Sequence, residues 1–286
     1  MFSNIIFSHF PLKSTPVSFL VFFPLRIKFP KISYSALSTP YAPWLANLSS
    51  NTNVVFSVNG DFFVPLTDDK TRTLSYGFEF AYNDVSSNSY GKNLQISNGD
   101  ITGFSNDFKV QSRYPDGGSS YTSLASYVNY RQDINKKTTL NTGLRVVNTI
   151  LKATWIDDTF ITLPDFDISL NNSAATATLG FAYKPSENWQ LNSVISSGFR
   201  SPNIDDVGKV FDSEPGSVVV PNPDLKPEYA YNADIGVSLN FDSVVKFDFA
   251  GFYTILEDAL IRRDFSLDGE SQILYQGELS TIQAIQ

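Results

Sequence analysis

The most constraining feature of this chain is a two-residue period sustained over runs of about 11–13 residues. Leu74, Tyr76, Phe78, Phe80 and Tyr82 alternate with Thr73, Ser75, Gly77, Glu79 and Ala81. Successive side chains of a strand point to opposite faces, so each run is a ribbon with one apolar face and one small or polar face. The pattern returns in Leu140–Val146, Ala175–Tyr183, Trp189–Ile195, Tyr229–Leu239 and Val245–Tyr253. Between the first two, Tyr121 to Gln132 alternates poorly and is assigned as a strand by position. Globular strands average about 5–6 residues, so runs twice that length argue against a soluble β-sandwich, which alternates in the same way.

The connections sort into two kinds. Short ones (Thr67 to Thr71, Ile134 to Lys137, Pro185 to Asn188, Phe241 to Ser243) alternate with long ones over about 84–120, 151–171, 200–228 and 256–271. Antiparallel neighbours then place all tight turns at one end and all long loops at the other, as in outer-membrane β-barrels. Charge placement agrees: Glu79, Arg145, Lys184, Asp234, Lys246 and Asp248 fall on the face opposite the apolar stripe, as a wet lumen requires. Tyr82, Tyr183, Trp189, Tyr229 and Tyr253 lie near run ends, where interfacial aromatics belong. The fold class expected is an all-β, antiparallel transmembrane barrel wall.

Composition narrows the chemistry. Aromatics make up 14% of the chain, with 24 Phe and 14 Tyr, which favours strands over helices. A formal charge of −8 offers a phosphate backbone little to bind, so a nucleic-acid partner is discounted. With no Cys, disulfides, thiolate metal sites and cysteine nucleophiles are excluded together, and His9 alone makes no histidine triad or cluster. No phosphate loop, dinucleotide fingerprint or nucleophile elbow is present, so no catalytic residue, metal site or cofactor is assigned. Asp157-Asp158 and Asp205-Asp206 sit in long connections, where neighbouring carboxylates are usually solvated rather than ligands to a hard cation. Tyr114, Pro115, Asp116, Gly117 and Gly118 read as an exposed turn at the tip of the longest loop.

Residues 1–46 differ from the rest. No acidic residue precedes Asp61, and Pro11, Pro16, Pro24, Pro30, Pro40 and Pro43 are six of the chain's 15 prolines. Strand and helix are both disfavoured here. Leu20 to Phe23 and Ala36 outline an export signal, yet Arg26, Lys28 and Lys31 follow the apolar core instead of preceding it, and Pro24 interrupts it. The stretch is therefore expected to be an atypical N-terminal segment that is not native barrel sequence, followed by a partial barrel over 47–286.

Two phrases lie in the 200–228 connection. The first is Gly198-Phe199-Arg200-Ser201-Pro202-Asn203-Ile204-Asp205-Asp206; the second is Pro221-Asn222-Pro223-Asp224-Leu225-Lys226-Pro227-Glu228. Together, in this order and separated by one loop, they resemble the TonB-dependent receptors, over about residues 53–286. The physical reading of the same residues is structural. Pro202 ends a ladder by withholding a donor, and Pro221, Pro223 and Pro227 stiffen the return into the next strand. Lys226 and Glu228 are placed to pair, and no residue is assigned to ligand binding.

The resemblance implies a transporter rather than an enzyme, in the outer membrane of a Gram-negative bacterium, surrounded by lipid. It implies part of a 22-stranded barrel, with about nine strands here and no plug domain. Pro227, where relatives that import glycans carry Trp, tilts the implied ligand toward the siderophore-iron, haem or cobalamin type. TonB would be engaged through the plug of the intact parent. The alternatives left open are a passive porin or surface-attachment barrel, and a truncated fragment without function.

Overall fold

A computed structural model describes residues 18–22, 26–27, 31–35, 45–162, 167–241, 245–275 and 277–286, with side chains only from residue 52 onward. His9, Ala36 and the turn after Phe241 lie outside the described residues. The main sheet takes in β1 (Ser18–Phe22), β2 (Arg26–Ile27), β3 (Lys31–Ser35), β4 (Leu45–Pro65), β5 (Arg72–Ser97), β6 (Asp100–Lys109), β7 (Ser119–Asn135), β8 (Thr138–Thr154), β9 (Asp167–Ser186) and β10 (Trp189–Arg200). It is completed, after the short α1 (Ile204–Val207), by β13 (Glu228–Phe241) and β14 (Val245–Glu257). A smaller sheet holds β11 (Phe211–Glu214), β12 (Ser217–Val219), β15 (Arg262–Asp264), β16 (Gln272–Tyr275) and β17 (Glu278–Ile285).

Nine positions follow one another in the large sheet among the described residues, in the order β1-β4-β5-β7-β8-β9-β10-β13-β14, and every neighbour is antiparallel. The convex face is the apolar one. Along β9 the odd residues from Asp167 to Tyr183 are exposed, while the even ones between them are half-buried or buried. The exposed set includes Leu179 at 51% and Phe181 at 41%. Register carries this face from strand to strand, for example Leu74–Tyr130–Thr142–Leu179–Ile195–Ala233–Tyr253. A globular protein hides such residues; a row of them along one face of a sheet is the pattern of an outer-membrane barrel wall. On β14 the stripe runs from Val245 to Ile255. That rise, roughly 34 Å along the strand, becomes roughly 25 Å across the membrane at a tilt of about 45°.

The weakly alternating segment at Tyr121 is a full strand, β7, in register with both β5 and β8. Its pattern is blurred because Tyr127 faces inward. Tyr127 stands opposite Gly77, which stands opposite Asp61. The ring lies where a Gly77 side chain would be, and its hydroxyl donates to Asp61 two strands away. Glu79 and Arg145 pair beside it at 2.5 Å, and Lys246 pairs with Asp248 at 2.9 Å, so the charged residues share the concave face.

Two expectations are corrected. The longest connection is not a loop through 84–120: β5 runs on to Ser97 and returns as β6. Asn98 and Gly99, both at positive φ, make the turn, and an Asn-Gly pair is the strongest short-range hairpin signal a sequence carries. Tyr82 therefore lies mid-strand. Second, part of the N-terminal stretch does form strand. Ser18↔Phe63 and Ile27↔Val54 keep one register along β4, and Lys31↔Asn51 continues it with a one-residue shift. Pro24 and Pro30 lie outside the described residues. The run Leu279 to Ile285 lies in β17, which belongs to the smaller sheet.

Candidate functional site: the loop-side mouth of the wall

The long connections pack into a cap. Trp155, Ile161, Val210, Val218, Val220, Tyr275, Ile282 and Ala284 form its buried core. β17 lies at its centre, parallel to β12 and antiparallel to β15 and β16. A second cluster joins cap to wall: Leu151, Ala153 and Ile168 from the concave side of β8 and β9, against Val207 and Leu225 from the 200–228 connection. The connection therefore folds inward over the lumen.

The two sequence phrases build that joint. Phe199 packs on Tyr229 with ring centroids 5.4 Å apart. Arg200 faces Glu228 across the ladder but turns to grip Asp206 with two bonds of 2.8 and 2.9 Å. Ser201 Oγ meets Thr149 Oγ1 at 2.8 Å and accepts from Asn172, which anchors the loop to the concave face; Pro202 is buried. Asn203 then caps the single turn of α1. Its side-chain oxygen accepts from the backbone N–H groups of Asp205 and Asp206, and the Asp206 carboxylate accepts from the Asn203 N–H. Replacing Asn203 with Ala is expected to cost about 1 kcal/mol, read as faster hydrogen exchange confined to 203–208.

The second phrase closes on the first. Asn222 donates its backbone N–H to Val207 O and its side-chain amide to Ile285 O at 2.8 Å, and its side-chain oxygen accepts from Asp224 N. Leu225 is buried in the joint, and Pro221 is buried beside it. The Glu228 carboxylate accepts Leu260 N–H at 3.0 Å, so it serves the β14–β15 connection rather than Lys226, which stays exposed. Gly198 lies in β10 against Ala230, and Pro223 and Pro227 are half-buried along the return.

The turn at Tyr114 to Gly118 is also part of the joint instead of an exposed tip. Pro115 is buried, Asp116 accepts from Ile156 N and Asp157 N, and Gly117 N donates to Thr154 O. Tyr114 donates its hydroxyl to Asp205 at 2.7 Å; burial first, and then this carboxylate, raise its pKa above the usual phenol value. Three of the four paired carboxylates are engaged: Asp157 by Thr159 and Lys109, Asp205 by the Tyr114 hydroxyl and an ion pair with Lys209 at 3.9 Å, and Asp206 by Arg200. Among the described residues no group of three metal-ligating side chains converges.

Asp157 supplies a pH test. The Thr159 hydroxyl first, then its backbone N–H and Lys109, hold this carboxyl below its ordinary value. A depressed folded value stabilises the loop fully above the unfolded value of about 3.9. That contribution is lost as pH falls through the depressed folded value. Cleavage of the 155–162 loop by an acid-active protease is expected to rise there, and Asp157→Asn should flatten the dependence.

The comparisons with known proteins agree with this geometry. The family model described as "TonB dependent receptor-like, beta-barrel" matches residues 21–278. No curated protein matches the chain. Among solved structures, the copper transporter OprC superposes with a TM-score of 0.66 at 11% identity, over 94% of this chain and 38% of its own. The ferric yersiniabactin uptake receptor FyuA from Yersinia pestis gives 0.53 at 13%, over 86% and 34%. The Serratia marcescens hemophore receptor HasR, solved with its hemophore HasA and heme, gives 0.51 at 13%, over 94% and 49%. The chain thus spans less than half the length of each. With the match starting inside the interrupted edge strand and running through the wall and most of the cap, this chain belongs to the TonB-dependent receptor-like β-barrel family.

Proposed function

We propose that the intact protein is an outer-membrane receptor of a Gram-negative bacterium that takes a scarce extracellular ligand at its loop-side mouth and imports it with energy relayed by TonB. The ligand class is siderophore-iron, haem or cobalamin. Family membership supports transport, and the named neighbours handle copper, a ferric siderophore and heme. The observation that carries the reading is the inward dock of the 200–228 connection. Val207 and Leu225 are buried against the concave face of β8 and β9, so the mouth is narrowed by packed protein. A passive porin needs an open water path there; a receptor that commits its ligand to coupled import needs a structured mouth. In this reading the phrase residues from Gly198 to Glu228 shape the mouth, a plug in the parent contacts TonB, and lipid surrounds the apolar belt.

The test is uptake by iron-starved cells producing the intact receptor, with labelled ferric siderophores, haemin and cobalamin as the panel, in the presence and absence of TonB. Saturable uptake of one class that stops without TonB is expected. Steady single-channel conductance with no TonB-dependent uptake would establish the porin instead.

A further inference from the structure

The same tripeptide occurs twice in the chain, as Asn59-Gly60-Asp61 and as Asn98-Gly99-Asp100. Asparagine before glycine is the pair most prone to lose its side-chain amide, because glycine has no Cβ to shield the backbone nitrogen that attacks it and bends freely toward it. The local chemistry is therefore equal at the two sites, and the fold separates them.

Asn59-Gly60 lies inside β4, with β5 on one side (Asn59↔Glu79, Gly60↔Phe78) and β1 on the other (Phe22↔Asn59, Val21↔Gly60). Gly60 is buried, and the Phe78 ring lies 2.6 Å from where its Cβ would be. With strands paired on both sides, the Gly60 nitrogen reaches the Asn59 side chain only if the wall opens. Asn98-Gly99 is the two-residue turn of the β5–β6 hairpin. The two residues sit at φ 55 and 88, and the closing pair is Ser97↔Asp100, so the Gly99 nitrogen belongs to no ladder pair. Both are exposed, and nothing lies within 4 Å of a Gly99 Cβ. The tip is also loosely tied. The register of β5 on β6 shifts between Lys92 and Asn93 and again between Gln95 and Ile96, and β6 pairs with β5 alone. Such a tip opens at the low end of the range of local unfolding free energies, and an interior strand opens near the top of it.

We infer that Asn98 is a site of spontaneous covalent modification, at which the exposed hairpin gains a carboxylate and a rearranged backbone as the protein ages, while Asn59 keeps its amide. The Gly99 backbone nitrogen bonds to Asn98 Cγ, the Cγ–Nδ2 bond breaks, and the Gly99 amide proton leaves with Nδ2 as ammonia. Water then opens the cyclic imide. Attack at Cγ gives aspartate; attack at the main-chain carbonyl carbon gives isoaspartate, whose backbone runs through Cβ and Cγ and is longer by a methylene. Asp-Gly suits the same turn, so aspartate leaves the hairpin closed. Isoaspartate does not fit a two-residue turn, so the hairpin unzips from Ser97↔Asp100 downward. The inference is independent of the imported ligand and of transport.

The full chain is folded in detergent micelles, with heat-dependent gel migration reporting the folded state, and aged at mildly alkaline pH beside a urea-unfolded sample. Proteolytic peptides containing each site are followed by mass, which changes when an amide becomes an acid and does not change when an Asp-Gly pair isomerises. In the folded chain Asn98 is expected to convert on the order of a hundredfold faster than Asn59, and in urea the two should convert at similar rates. A protein-isoaspartate methyltransferase should label the aged folded chain in the Asn98 peptide. Hydrogen exchange over 93–105 should quicken in the aged chain and stay at the parent's rate in Asn98→Asp. The same two peptides, taken from isolated outer membranes of cells producing the intact receptor, give a second measurement that does not depend on refolding. Equal conversion at both sites in folded protein, or an Asn98 amide as persistent as that of Asn59, would overturn the inference.

Discussion

Trp155→Ala is expected to unfold the cap and leave the wall standing. Trp155 is 2% exposed at the centre of the cap's core, packed among Val210, Val218, Tyr275 and Ile282. Truncating a buried tryptophan costs about 3–5 kcal/mol, a large share of what a sheet with strands of three to eight residues holds. Limited proteolysis should then cut within 155–162 and 209–220 while the far-ultraviolet β-signal of the wall persists. Loss of both together would show that the cap and wall form one cooperative unit, joined through the cluster at Leu151 and Val207.

The second large effect belongs to the wall. At Gly77 an added Cβ would lie 2.4 Å from Gly60 O and 2.8 Å from the Tyr127 hydroxyl oxygen. The first of these is backbone of the neighbouring strand, which no rotamer change relieves. Gly77→Val is therefore expected at or above the upper end of the roughly 1–3 kcal/mol that overpacking costs, and it also displaces the Tyr127 ring that reaches Asp61. The readout is the fraction of heat-modifiable folded protein after refolding in detergent. Gly236→Ala is the control: the nearest atom to its added Cβ is Phe249 O at 3.6 Å, ordinary contact, so it should fold as the parent does.

Legibility in the sequence followed the range of the interaction. The alternation at Leu74–Tyr82, Ala175–Tyr183 and Tyr229–Leu239 is a property of neighbouring residues, and it placed the strands and their faces. The β5–β6 turn at Asn98-Gly99 and the α1 cap, Asn203 three residues before Asp206, were equally local signals, present in the sequence but left unread. The proline content of residues 1–46 reads against strand, yet β1, β2 and β3 pair with β4, because pairing is set by the partner strand and not by composition. Lys226 and Glu228 were paired on proximity alone; Leu260, 32 residues away, takes the carboxylate.

What the sequence determined by itself is the membrane-facing ribbon: lengths, faces and the alternation of tight turns with long connections, because a two-residue period needs no distant partner to be expressed. What only the tertiary structure decided is the mouth. Nothing near Ser201 in sequence announces Thr149 and Asn172, nor does Asn222 announce Ile285, and the turn at Pro115 is held by residues 154–157, the end of β8 and the start of the segment after it. Loop segments without a period carry no face to read, so their burial is set by which other loops the antiparallel order of the wall brings to the same end.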